Sequence, residues 1–149
     1  ETVAYDVSYD GTVIVGVSKN GSGDLRPFRW TAAGGMVDLG SFGGTTGAAR
    51  GCSSDGSIVV GWSKDAAAVS HAFIWTSATG IHRIPYDPYP AGSQLFGISP
   101  DGSYVVGTKT DGLQRAFIWS NTTEFTELGT LEGSSGASSF SLGMAVTTN

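Results

Sequence analysis

The 149-residue sequence has few of the residues on which most catalytic sites and nucleic-acid interfaces depend. Only 14% of its residues are charged, the formal net charge is −5, and it contains two histidines and one cysteine. A nucleic-acid partner would require a basic face, which this composition does not provide. No Cys/His cluster has metal-ligand spacing, so we predict no metal site and no cofactor. No run of about 18 apolar residues is present, and we therefore expect no membrane span.

A ten-residue stretch around an Asp-Gly pair occurs three times, at residues 7–16, 52–61 and 98–107. Asp-Gly between two apolar runs predicts a hairpin, because Gly accepts positive φ and Asp hydrogen-bonds its own backbone. The run after each turn is apolar on both faces, which is typical of a strand between two neighbouring sheets. Each stretch ends in Gly, where we expect a bulky group such as the repeat's own Trp to approach closely. The predicted structural turn residues are Asp10, Gly11, Asp55, Gly56, Asp101 and Gly102.

An aromatic pair follows each of these stretches, with its Phe 12 residues after the last Gly in the first two repeats and 10 residues after it in the third. Its Phe and Trp are two residues apart, so in a strand they share one face. We predict that these residues form the structural core: Phe28, Trp30, Phe73, Trp75, Phe117 and Trp119. Cys52 aligns with Val7 and Ile98 and is predicted to be a buried core residue.

Each repeat is predicted to contain four short strands, and no window has a sustained helical period, so the fold class is all-β. In the first repeat the predicted strands are Thr2–Ser8, Thr12–Ser18, Arg26–Thr31 and Met36–Gly40, and residues 43–47 are predicted to be a turn. Units of this size are typical of propeller blades. We predict one domain, 1–149, with repeats at 1–45, 46–91 and 92–138 and the first strand of a fourth at 139–149. A β-trefoil also has three four-stranded repeats and stays an alternative to this β-propeller-type array of three antiparallel blades.

The second repeat contains His71-Ala72-Phe73-Ile74-Trp75, and the other two repeats have Arg-Pro-Phe and Arg-Ala-Phe in place of its His-Ala-Phe. Together with the Asp-Gly turns and the apolar runs, this pattern resembles the repeats of the HAF-type extracellular repeat family of bacteria. The resemblance implies a secreted or cell-surface protein without established catalytic residues. More loosely, the order of turn, apolar strand and aromatic strand resembles that of tryptophan-aspartate and TolB-type propellers. The sequence opens at Glu1 without Met, so we expect that an upstream segment was removed or was never included.

The best candidate for ligand binding is the loop at Tyr86, Asp87 and Tyr89. Three prolines in six residues stiffen it, and exposed aromatic rings beside a carboxylate suit sugar or peptide capture. Trp62 is a further candidate, because the repeat pattern has Val17 and Thr108 at its position. No acid/base constellation is evident, so we predict that the chain is not an enzyme.

These observations predict a non-enzymatic extracellular or cell-surface repeat module with a structural, self-assembling or adhesive role. A carbohydrate-binding, lectin-like domain is the alternative, and a fragment of a propeller glycoside hydrolase is a third possibility. Propellers usually have four to eight blades, so three blades would leave two open sheet faces. We therefore expect self-association, with residues 141–149 in the contact, and a glycan or other surface ligand as a further partner.

Overall fold

The computed structural model of the protein describes residues 1–85, 92–110 and 113–130. These residues form three successive groups of four β-strands, which we call the first, second and third blade. In the first blade the strands are β1 (Thr2–Val7), β2 (Val13–Lys19), β3 (Leu25–Thr31) and β4 (Gly35–Asp38). In the second they are β5 (Gly43–Cys52), β6 (Ile58–Asp65), β7 (Ser70–Thr76) and β8 (Gly80–Arg83). In the third they are β9 (Ser93–Ile98), β10 (Val105–Thr110), β11 (Gln114–Ser120) and β12 (Glu124–Glu127).

Within each blade the strands pair antiparallel in chain order. The register repeats from blade to blade, since the central pairs Ile14 with Trp30, Val59 with Trp75 and Val105 with Trp119 are equivalent. The first and second blades share one parallel residue pair, between β3 and β5. This arrangement confirms the prediction of a propeller-type array of four-stranded antiparallel blades, and it is not that of a trefoil.

The blades pack face to face, and each joint contains a separate hydrophobic cluster. Val13 and Val15 of the first blade meet Val59 and Phe73 of the second. The second joint is formed by these buried residues: Val60, Ala72, Ile84, Leu95, Ile98, Val105, Phe117 and Trp119. Because side chains alternate across a strand, neighbouring Val59 and Val60 contribute to different joints. This confirms that β6 is buried on both faces, as its apolar run predicts.

The turn between the first two strands of each blade is held by one repeated set of hydrogen bonds. In the second blade, the Ser53 hydroxyl donates to Asp55 Oδ1 at 2.6 Å, and the Ser57 N–H donates to the same oxygen at 3.0 Å. The hydrogen bond from Ser53 lowers the pKa of Asp55 to about 2. Gly56 has φ of 63°, a conformation that favours glycine. The first and third blades repeat these bonds at Asp10 and Asp101.

The glycines at the ends of the three repeated stretches have a different neighbour from the one that the sequence predicts. A Cβ at Gly61 would overlap the backbone carbonyl oxygen of Ala48 on β5, and Gly16 and Gly107 meet the equivalent carbonyl of their own first strand. The first strand of each blade has a β-bulge at this point, which brings its backbone against the glycine. The expectation of a Trp contact is therefore wrong, although the Phe28 ring does approach Gly16.

The predicted turn at residues 43–47 is also wrong, because β5 begins at Gly43. A Cβ at Gly44 would come within 2.6 Å of the carbonyl oxygens of Lys64 and Asp65, so glycine here permits close pairing with β6. The repeat boundaries and the predicted strand at 139–149 stay predictions, and the latter lies outside the described residues.

Candidate functional site

The first blade has one sheet face that is turned away from the second blade, and we call it the end face. Val13 and Val15 pack into the joint with the second blade, so the alternating residues Ile14 and Gly16 belong to the opposite face. The strand registers place Trp30 beside Ile14 and Met36 beside Trp30. The end face is therefore an apolar sheet surface.

The end face is more exposed to solvent than the equivalent faces of the other two blades. Val59 and Val105 occupy the place of Ile14 in the second and third blades and are 0% and 2% exposed, whereas Ile14 is only half-buried. Met36 is 49% exposed. The same type of surface is thus a closed joint in two blades and is partly open to solvent in the first.

The outer part of the end face contains a small cleft. Its lining includes Lys19, Arg26, Phe28, Met36 and Asp38, and its volume is about 200 Å³. The Arg26 Nε and Asp38 Oδ2 atoms form an ion pair at 3.1 Å on its wall. Small-molecule pockets in proteins usually measure about 300–1,000 Å³, so this cleft suits a side chain better than a ligand of that size.

In the second blade, an aromatic side chain occupies the place that corresponds to this cleft. Phe42, from the connection between the first two blades, lies edge-on to the His71 ring with 6.2 Å between centroids, and the Arg83 guanidinium is 5.3 Å from the Phe42 ring. His71 and Arg83 stand where the first blade has Arg26 and Asp38. The His71 Nε2 and Asp65 Oδ2 atoms are 2.8 Å apart, and this hydrogen bond lowers the pKa of Asp65. An aromatic side chain from the connection that leads into β5 therefore completes this position in the second blade.

The predicted core residues are not all equally buried. Phe28, Phe73 and Phe117 are buried, as is Trp119, which is 6% exposed. Trp75 is half-buried and packs on the first joint. Trp30 is half-buried and belongs to neither hydrophobic cluster, because it lies on the end face.

Cys52 is buried at the first joint, where its backbone N–H donates to the Asp6 carboxylate at 2.9 Å. Burial, together with that carboxylate, raises the pKa of its thiol to about 12. The thiol therefore stays protonated at neutral pH, and Cys52 is a core residue rather than a nucleophile.

The predicted ligand-binding residues are not brought together by the described part of the structure. Tyr86, Asp87 and Tyr89 lie outside the described residues, so their role stays a prediction. Trp62 is half-buried between Ala48 and Ala72 of the adjacent strands, and its indole N–H is buried without an acceptor among the described residues. A binding role for Trp62 also stays a prediction.

Three residues that the sequence analysis did not single out lie at the β-bulges. They are Tyr5, Arg50 and Phe96, one in the first strand of each blade. The Arg50 Cζ atom is 4.1 Å from the centroid of the Tyr5 ring and 5.9 Å from that of Phe96. Only their position in the repeat could have pointed to these residues, because they immediately precede the equivalent residues Asp6, Gly51 and Gly97.

Backbone hydrogen bonds also connect the repeated turns of neighbouring blades. The Tyr9 N–H donates to the Ser54 carbonyl at 2.9 Å, and the Ser54 N–H donates to the Pro100 carbonyl at 2.8 Å. These three residues occupy equivalent positions in the three turns. The turns therefore form one hydrogen-bonded row along the array.

Solved structures with a similar fold include a TolB from Acinetobacter baumannii, at 22% identity and a TM-score of 0.57, where the similarity covers 84% of this chain and 31% of that one. Another is described as a TolB from Agrobacterium tumefaciens, at 15% identity and a TM-score of 0.66, with 83% of this chain and 44% of that one covered. This chain thus matches less than half the length of either. No protein-family model matches the sequence, and no curated protein does.

At this identity the likeness establishes the fold. The protein is an all-β, propeller-type repeat module. Among the described residues, none forms a helix of the length and hydropathy needed to cross a membrane.

Proposed function

We propose that this protein is a non-enzymatic, self-associating repeat module whose end face joins a second copy of the chain. The observation that carries the proposal is the difference in burial between Ile14 and its equivalents Val59 and Val105. A surface that is a closed hydrophobic joint in two blades gains the same stabilisation when a further sheet covers it in the first.

The cleft at Arg26 and Asp38 supports this proposal. In the second blade an aromatic side chain from the connection that precedes β5 occupies the equivalent place. A joining copy would supply such a side chain to the first blade. Its contacting surface would include its carboxyl-terminal repeat, in keeping with the prediction that residues 141–149 take part. Copies that close into a ring give a finite oligomer, and copies that do not close give a filament.

The resemblance to the HAF-type repeats extends the proposal to location and role. It supports a secreted or cell-surface protein with a structural or adhesive role. The motif that carries this part of the proposal is His71-Ala72-Phe73-Ile74-Trp75, in step with the three repeated turns.

Two neighbouring residues of β4 provide a matched test. Met36 lies on the end face and is 49% exposed, and Val37 points to the opposite face and is 50% exposed. Light scattering should show an oligomer for the parent protein, and Met36→Glu should weaken its association at least about tenfold, whereas Val37→Glu should not. A parent protein that stays monomeric, or equal effects of the two substitutions, would refute self-association through the end face.

A further inference from the structure

The first strands of the three blades together place one arginine between two aromatic rings. The first strands β1, β5 and β9 are adjacent, with β1 contacting β5 and β5 contacting β9. Each carries its β-bulge at an equivalent place, and a bulge redirects a side chain away from the regular alternation of the strand. As a result, Tyr5, Arg50 and Phe96 form a stack that runs across all three blades.

The Arg50 guanidinium has aromatic neighbours but no hydrogen-bond acceptor among the residues that the structure describes. Its Nε atom is buried, and no residue in the described part of the chain accepts a hydrogen bond from it. The nearby carboxylate of Asp6 is engaged elsewhere, because it accepts the N–H groups of Cys52 at 2.9 Å and Val7 at 2.8 Å. No described carboxylate forms an ion pair with Arg50. Ring faces attract the positive charge but do not satisfy the N–H donors in the guanidinium plane.

A second arginine shows the ordinary arrangement. The Arg29 guanidinium also lies over an aromatic ring, 5.9 Å from the Trp75 centroid, but its Nε donates to the Gly56 carbonyl at 3.0 Å. Arg29 therefore has both a ring contact and an acceptor from the protein. Within residues 1–85, 92–110 and 113–130, Arg50 has ring contacts but no acceptor, which is unusual for a buried donor such as its Nε–H group.

We propose that Arg50, held between Tyr5 and Phe96, is the binding site for a carboxylate of an acidic peptide, of the type presented by a glutamate side chain. The planar guanidinium matches the two oxygens of a carboxylate. Tyr5 is 41% exposed, and its ring offers an apolar surface to the methylene groups that carry the carboxylate. Because the stack contains one guanidinium and the chain has a net charge of −5, the site suits an isolated carboxylate rather than a polyanion. This site is separate from the end face and does not depend on self-association.

The test uses two peptides that differ only in the carboxylate, acetyl-Gly-Glu-Gly-amide and acetyl-Gly-Gln-Gly-amide. Nitrogen-15 NMR of the arginine Nε–H groups reports on Arg50 and Arg29 separately. The Glu peptide should shift the Arg50 signal saturably, with an affinity at least about tenfold above that of the Gln peptide. The Arg29 signal should not move. Arg50→Gln should abolish the preference for the Glu peptide, and Arg29→Gln should retain it.

Each contrary result overturns the proposal. An Arg50 signal that does not saturate, equal affinities for the two peptides, or a preference that survives in Arg50→Gln would exclude a carboxylate site at Arg50. Inorganic phosphate that binds more tightly than the Glu peptide would exclude the carboxylate as its ligand. If Arg50→Gln does not fold, as judged by circular dichroism, the comparison of the two peptides on the parent protein decides alone.

Discussion

Replacement of the three turn glycines by alanine separates backbone strain from packing between blades. All three have positive φ, 73° at Gly11, 63° at Gly56 and 76° at Gly102, so alanine brings a similar backbone penalty of about 1–2 kcal/mol at each. Their surroundings differ. A Cβ at Gly11 meets nothing within 4 Å, whereas a Cβ at Gly56 would lie 2.5 Å from Cγ2 and 2.6 Å from Cβ of Val13 in the first blade.

The overlap at Gly56 cannot be relieved by a rotation about one bond, because the contact includes the Val13 Cβ atom itself. Overpacking of this kind costs about 1–3 kcal/mol, which adds to the strain and gives a total of about 2–5 kcal/mol for Gly56→Ala. At Gly102 the close atom is Ile58 Cδ1 at 2.6 Å, the end of a flexible side chain, and the next atom is 3.7 Å away. We therefore expect Gly11→Ala to be the mildest of the three substitutions, Gly102→Ala to be intermediate and Gly56→Ala to be the most destabilising.

Urea denaturation of the three variants at one protein concentration measures this order. The Gly56→Ala substitution retains the backbone carbonyl of residue 56, so the acceptor of the Arg29 hydrogen bond is still present. If the free energies of unfolding of Gly56→Ala and Gly11→Ala agree within about 0.5 kcal/mol, the turn of the second blade does not pack against the first blade as described.

Two further predictions concern single side chains. Trp119 is 6% exposed in the second joint, so Trp119→Ala should lower the free energy of unfolding by about 3–5 kcal/mol. Trp30→Ala on the end face should cost clearly less, and equal losses in thermal melts would contradict the difference between the two positions. The lowered pKa of Asp55 means that its charged form stabilises the fold above pH 3.8, the unfolded value, and that this contribution is lost as the pH falls towards about 2. Asp55→Asn should therefore flatten the decline in urea midpoint over that range, and an unchanged decline would contradict the role of the Ser53 hydrogen bond.

The turns could be predicted from the sequence because their interactions are local. Ser53, Asp55 and Ser57 bond to one another within five residues, and the glycine conformation depends on the same segment. The strand order within a blade could also be predicted from the sequence, since short antiparallel strands between such turns pair in chain order. The first blade shows how close the agreement is, with Val13–Lys19 found where residues 12–18 were predicted.

The bulges could not be predicted in this way, because they depend on the backbone of a neighbouring strand. Gly61 marks the position in the sequence, but the group that approaches it is the carbonyl of Ala48, thirteen residues earlier. The stack of Tyr5, Arg50 and Phe96 is even harder to predict from local sequence, since its three members come from three repeats.

The end face depends on the number of blades, which is why a three-blade array was expected to have open sheet faces. Ile14, Val59 and Val105 have the same place in the repeat and similar side chains, so the local pattern alone does not distinguish their burial. Their burial differs because the second and third blades have a described blade in front of them and the first does not. Position in the array, rather than local sequence, therefore decides which of three equivalent surfaces is open for contact.

The hydrogen-bonded row of turns makes the order of the repeats matter. Each inter-blade hydrogen bond runs from the backbone N–H of one turn to the carbonyl of the next turn, and the donors are Tyr9 and Ser54. Pro100 accepts from Ser54, but its nitrogen carries no hydrogen, so it could not serve as a donor in place of either. A gene rearrangement that moved the third repeat to the front or middle of this array would lose one inter-blade bond, whereas exchange of the first two would keep both. The three repeats are thus alike in fold but not interchangeable, and growth of the array by duplication is less costly from its first two units than from its third.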